Sequence, residues 1–217
     1  MRAWLGAAVF TAMALDAWTK GAGNLTEMLW ACHWASIAIG LGLLAGSRAA
    51  VAAGLLFHLS LGIPAWLLGV FFSGEVQPTS VLVHSVPTLA AMVYLRGIEA
   101  LPPYTWLRAW MLHPAAIAVS ARFAKPELNV NMAHAPWLPL EHLFPDLHFF
   151  HLAAISLSLI MLLLMNRGIE RWLRERAHSR QPDAARPAAP RIPPPRTASR
   201  PQGSGDIERP RSIARVR

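Results

Sequence analysis

Apolar residues in this chain come in long unbroken runs, not in stripes of period 3.6 or 2. The runs cover about residues 3–18, 25–44, 49–72, 79–95, 104–121 and 147–165. A bilayer core needs about 20 apolar residues per helix. The pattern therefore predicts an all-α, polytopic membrane bundle of about six transmembrane helices over residues 1–165. Asp16 interrupts the first run, and Leu15-Asp16-Ala17 is a poor leader-cleavage site, so that run is read as a retained helix. Asn24 to Glu27 reads as the cap of the second run, and Gly42 with Gly46 as its end. Pro64 follows His58 in the third run, Pro87 follows His84 in the fourth, and His113-Pro114 lies in the fifth. Such prolines kink membrane helices and free carbonyls. Residues 122–146 mix apolar residues with Asn and His, punctuated by Pro126, Pro136, Pro139 and Pro145. They read as a cap on one end of the bundle.

Beyond Asn166 the pattern stops. Arg167 to Gln181 reads as a basic amphipathic helix at a membrane surface. From Pro182 the Pro, Ala, Arg, Ser and Gly content predicts disorder. Residues 166–217 thus form a basic tail, mainly disordered, placed to meet anionic headgroups.

Composition agrees. Hydrophobic residues make up 54% of the 217 residues and charged ones 15%, too few charges for a soluble surface. The formal net charge of +8 lies wholly in the tail, where thirteen arginines face five acids; residues 1–165 carry seven of each sign. The basic balance is no argument for nucleic-acid binding by the core. Arginines beside membrane ends mark the cytoplasmic side. The tail, Arg2, Arg48, Arg96 and Arg108 then fall inside, and Lys20, Arg122 and Lys125 outside. Both termini are expected in the cytoplasm of a multi-pass cell-membrane protein.

The single cysteine excludes an intrachain disulfide and a cysteine-based zinc cluster. Its context, Leu29-Trp30-Ala31-Cys32-His33-Trp34-Ala35-Ser36, places polar groups at membrane depth, where each is costly and raises a question of function. With the second run entering from outside, Cys32 lies about 10 Å below the outer surface. His84 falls at a similar depth. Asn129, Asn131, His134, His148 and His151 lie at the same end, and His58 and His113 nearer mid-membrane. The bland reading is that Cys32, Ser36 and Gly40 form a small-residue packing face, that the histidines bridge helices, and that Asn129 and Asn131 satisfy backbone groups. The reactive reading makes Cys32 a nucleophile, with a histidine from another helix as base. His84 is the first choice by depth. His33 points about 100° away on an ideal helix and is a poor base. Glu27 reads as a surface carboxylate. A thiolate at this depth reaches phospholipid ester carbonyls, so the chemistry implied is acyl transfer through a thioester. Two other readings are open: a haem or metal carrier using His33, His58, His84 and His113, and a small transporter or assembly protein. The first reading needs neither metal nor cofactor.

Cys32-His33, then His84 with Pro87, then Glu127-Leu128-Asn129-Val130-Asn131-Met132 stand in an order that resembles the transmembrane protein 164 and YwaF-like family, over about residues 24–165. The resemblance implies six or seven membrane helices, and an architecture similar to the androgen-induced membrane hydrolases, which act on fatty-acid esters. The animal member moves acyl chains onto ether lysophospholipids through a cysteine. Carried over, Cys32 is the nucleophile and His84 the base. Asn129 and Asn131 are candidates to orient groups or stabilise an oxyanion, and the partner is a phospholipid or lysophospholipid; beside the resemblance, His134 and His33 are counted as substrate or oxyanion candidates. This chain has Trp-Ala before Cys-His where the animal protein has Asn-Pro, and Met-Ala-His where it has Met-Leu-Cys.

Overall fold

A computed structural model describes residues 1–136, 140–144 and 146–179. The expectations for Trp137, Pro139, Pro145 and the disordered tail from residue 180 onward lie outside those residues. Every regular element among the described residues is helical.

Seven α-helices follow in order: α1 Arg2–Lys20, α2 Ala31–Ala45, α3 Arg48–Phe57, α4 Ile63–Ser73, α5 Pro78–Tyr94, α6 Thr105–Phe123 and α7 Leu147–Ser179. A 3-10 segment, Ala22–Leu29, precedes α2, and a π-turn, His58–Gly62, joins α3 to α4. Two short 3-10 turns, Pro126–Leu128 and Val130–Met132, form the cap.

Two expectations need correction. The run 25–44 is not one helix. It bends by 77° at Trp30, and the Asn24 to Glu27 stretch lies in the 3-10 segment instead of capping α2. Trp30 takes the cap position with an extended backbone, φ −55° and ψ 145°. The sixth run and the basic helix expected after it form one element, since α7 runs unbroken from Leu147 to Ser179. Nothing between Leu147 and Ser179 breaks a helix except Gly168, and one interior glycine costs only about 1 kcal/mol.

By length and apolarity two helices suffice to cross a bilayer: Arg48–Ser73 taken through its π-turn, and Leu147–Ala177. The bent pair Ala22–Leu29 with Ala31–Ala45 makes a third. Little of either straight span is covered by protein. Trp4, Trp18, Phe71 and Leu164 are exposed outside the bundle. Such surface in continuous array marks a lipid-facing or partner-facing protein.

The helices meet through small residues. A side-chain carbon on Gly40 would come 2.7 Å from Phe10 of α1, and one on Gly54 would come 3.0 Å from the Ala35 carbonyl. Glycine at both places lets α2 seat closely between α1 and α3. Val9, Met13, Ile39, Leu43, Val51 and Ala91 fill one core, from α1, α2, α3 and α5. Ala35, Phe57, Ala109 and Leu162 fill a second, from α2, α3, α6 and α7. Cys32 lies at the end of α2 nearest the cap.

Candidate active site around Cys32

The bend at Trp30 decides where the thiol sits. Asn131, in the cap, braces both sides of it. Its Oδ1 accepts from the Ala31 N–H at 2.8 Å, and its Nδ2 donates to the Leu29 carbonyl at 2.7 Å and to Ser120 Oγ at 2.8 Å. Its φ of 56° is a conformation asparagine tolerates better than most residues. Trp34 Nε1 also donates to the Leu29 carbonyl, at 3.0 Å. Helix α2 therefore begins at Ala31, and Cys32 stands in its first turn. There the N–H groups have no acceptor within the helix, and the helix end favours negative charge.

His33 meets Cys32 directly, contrary to the facing argument. Its Nδ1 lies 3.5 Å from Cys32 Sγ, and its Nε2 lies 3.0 Å from Asp16 Oδ2 on α1. The 100° rule describes Cα–Cβ directions on an ideal helix. Here Asp16 draws one nitrogen of the ring toward α1, and the other turns back to the thiol. With Nε2–H donating to Asp16, Nδ1 is the acceptor that faces Sγ. Asp16 and His33 are both buried. Asp16, noted in the sequence only as an interruption of an apolar run, is thus the third member of a Cys–His–Asp chain. Lys20 Nζ lies 3.7 Å from the same Asp16 oxygen and 2.8 Å from Glu27 Oε2. Glu27 therefore reaches the site only through Lys20.

His84 approaches the Cys32 thiol from α5. Its Nδ1 donates to the Ser80 carbonyl at 2.7 Å, so Nε2 carries a lone pair, and that buried atom has no hydrogen-bond partner. Trp66 stacks on one side of the ring at 4.6 Å between centroids and His58 on the other at 5.4 Å. Pro87 has no N–H to give the carbonyl four residues before it. That carbonyl, of Val83, accepts from Ser36 Oγ at 3.5 Å instead. The neighbouring His84 carbonyl accepts from Thr88 Oγ1 at 2.7 Å and from His58 Nε2 at 3.2 Å.

The π-turn has the same origin. Pro64 cannot bond back to Ser60, so the ladder widens by one residue and the Ile63 N–H bonds the His58 carbonyl. π-turns inside helices recur at functional sites, and this one sets Gly62 beside both His58 and Cys32. A side-chain carbon on Gly62 would lie 3.0 Å from His58 Nδ1 and 3.6 Å from Cys32 Cβ.

The remaining expected residues are elsewhere. Asn129 closes its own loop: Oδ1 accepts from the His134 and Ala135 N–H groups at 2.9 and 3.0 Å, and Nδ2 donates to the Ala135 carbonyl at 3.0 Å. The amide donors of Asn129 and Asn131 are thus committed to the fold and not held ready for an oxyanion. No described contact joins His134 to Cys32. His113 Nδ1 bonds Ser158 Oγ at 2.9 Å, tying α6 to α7, and His151 Nε2 bonds the Met132 carbonyl at 2.9 Å, tying α7 to the cap. Bis-histidine haem ligation needs two ring nitrogens facing each other across the porphyrin. His58 and His84 stack face to face instead, and among the described residues no three His, Cys, Asp or Glu side chains are placed to hold a metal ion. No family model, curated protein or solved structure gives a significant match to this chain.

Proposed function

We propose that this chain is a multi-pass membrane enzyme that takes an acyl group from a phospholipid ester onto Cys32 as a thioester. The observation that carries the reading is the chain Asp16–His33–Cys32, at 3.0 and 3.5 Å, in the first turn of α2. Nucleophile, base and orienting carboxylate in hydrogen-bonded order are the shared logic of acyl-transfer sites on unrelated folds. The exposed apolar surface on the helices supports a lipid setting. The resemblance to the transmembrane protein 164 and YwaF-like family supports the same chemistry, with a lysophospholipid or another hydroxyl lipid as acceptor. We also propose six crossings with both termini cytoplasmic, on the strength of the arginine distribution. Reporters fused at the C-terminus and at Glu141 should then fall on opposite sides.

In the first half-reaction Sγ attacks the ester carbonyl, and the thiol proton passes to His33 Nδ1. Asp16 holds the ring in place and stabilises the imidazolium. The N–H of Cys32, in the first turn of α2, supplies the oxyanion donor in this reading. Collapse breaks the ester C–O bond. The leaving alkoxide takes the proton from His33, leaving a lysolipid and an acylated Cys32. His33 replaces His84 as the base for this step, and His84 is left for the second. Intact mass spectrometry after incubation with a short-chain phospholipid tests the reading. One acyl mass, removable by hydroxylamine and absent from Cys32→Ser, is expected. Wild type unmodified across a panel of acyl donors overturns it.

A further inference from the structure

With the Cys32 thiol turned to His33, two buried imidazole nitrogens near it have no donor. His84 Nε2 is one. The other is His58 Nδ1, since His58 uses Nε2 to donate to the His84 carbonyl. Both residues are more than nine-tenths buried, at 6% and 0% exposure. A buried polar atom without a partner costs about 1–3 kcal/mol, and such exceptions in a folded protein call for an explanation. Neither tautomer is free to change. Each ring is fixed by the carbonyl it donates to, so both orphan atoms are acceptors. They belong to stacked rings 5.4 Å apart. His58 Nδ1 faces the backbone of Cys32 across the notch at Gly62, where the place of a missing side-chain carbon is 3.5 Å from Cys32 Cα.

Two neighbouring acceptors with no donors specify their ligand. We propose that His58 and His84 receive the acyl acceptor, and that this acceptor presents two hydroxyl groups on adjacent carbons, as a glycerol-type lipid does. The inference rests on the thioester reading above and adds the second substrate. One hydroxyl donates to His84 Nε2 and the other to His58 Nδ1. The oxygen held at His84 attacks the thioester carbonyl, and its proton passes to Nε2. The C–S bond breaks, Sγ leaves as the thiolate, and His84 returns the proton to it. The products are the new ester and the free thiol, with no further reactant. His58 is a binding group that selects the diol; it takes no proton. A site built to accept a hydroxyl rejects an analogue lacking it, because the buried acceptor is then left bare.

The test uses full-length protein in detergent micelles, acylated at Cys32 by a short-chain phospholipid. Discharge is timed with a monoacylglycerol and with the same lipid carrying a 3-O-methyl ether in place of one hydroxyl. Wild type should discharge to the diol at least about 10-fold faster. His58→Phe keeps a ring stacked on His84 and removes the acceptor; once acylated, it should lose the preference and discharge to both lipids at equal rates. His58→Gln, with an amide N–H for the His84 carbonyl and an oxygen acceptor, should restore part of it. Should His58→Phe fail to fold, Gly62→Ala, which crowds Nδ1, should lose the preference in the same way. Equal discharge to both lipids by wild type, or a preference kept by His58→Phe or Gly62→Ala, overturns the inference and leaves the thioester intact. Wild type that never acquires the acyl mass overturns the thioester reading, and this inference with it.

Discussion

The side of the bundle made by α1, α2, α5 and the π-turn handles its buried polar groups differently from the side made by α6, α7 and the cap. On the second side the groups that tie the helices are paired for the fold, and the two buried orphans there, His134 Nε2 in the cap and Asn166 Oδ1 on α7, lie apart from any nucleophile. His113 bonds Ser158, His151 bonds the Met132 carbonyl, Trp110 Nε1 donates to the Ile155 carbonyl at 3.2 Å, and Asn131 bonds Ala31, Leu29 and Ser120. On the first side Asp16 Oδ1, His58 Nδ1, Ser60 Oγ and His84 Nε2 are buried and unpaired, and all belong to residues around Cys32 or to the π-turn beside it. Both sides carry interior histidines, so the residue type alone does not separate structure from chemistry. What separates them is that on the first side the open hydrogen-bonding atoms gather around one nucleophile.

That contrast predicts a graded series of variants. The largest effect is expected from Cys32→Ser. The hydroxyl is far less ionised than a thiol near neutral pH, so the hydroxylamine-sensitive adduct and turnover should both vanish, with thermal unfolding in detergent unchanged. Asp16→Asn keeps the shape and removes the charge behind His33. Turnover should fall roughly 100- to 10,000-fold, read as the rate at which a fluorescent phospholipid loses its acyl chain. Turnover within about threefold of wild type would place Asp16 with the structural groups instead.

On the paired side the expected losses are in stability. Asn131→Ala removes the brace on both sides of the Trp30 bend and should cost about 2–4 kcal/mol in denaturant unfolding. It should slow acylation too, because the start of α2 is then free to shift. His113→Ala should cost about 1–3 kcal/mol through the lost bond and the space left behind, with turnover per folded molecule unchanged. The smallest effect is at the start of α7. The backbone N–H groups of Phe149 and His148 hold the Asp146 carboxyl below the usual carboxylate range. A depressed carboxylate contributes its cap above its ordinary pKa and loses it as pH falls through the folded value. Hydrogen exchange at His148 and Phe149 should therefore quicken in strongly acidic buffer, and Asp146→Ala should show the same fraying near neutral pH.

Much of the fold was legible from local pattern. The fourth apolar run was read as residues 79–95 and is α5, Pro78–Tyr94; the fifth was read as 104–121 and is α6, Thr105–Phe123. Proline chemistry pointed to irregular backbone near Pro64, and the π-turn stands just before it. The bend at Trp30 was not legible. No proline or glycine marks it, and the side chain that braces it is a hundred residues away. Cys32 and His84 were singled out as polar groups in hydrocarbon, and the structure brings both to one place. Asp16 gave the same signal, a lone carboxylate in an apolar run, but its partner His33 comes from another helix. Only packing of α1 on α2 reveals the pair. The facing argument for His33 failed because it used Cα–Cβ directions alone, while Asp16 draws the ring toward α1 and turns Nδ1 back to Sγ.

The claim that the two sides divide chemistry from structure is tested most directly by one rate in two variants. The quantity is the initial rate of acyl-adduct formation on Cys32, per folded molecule, by intact mass spectrometry. Asp16→Asn should lower it roughly 100-fold or more, while His113→Ala, a larger change at a half-buried histidine, should leave it at the wild-type value. Equal rates in Asp16→Asn and wild type, or an equal loss in both variants, would contradict the account.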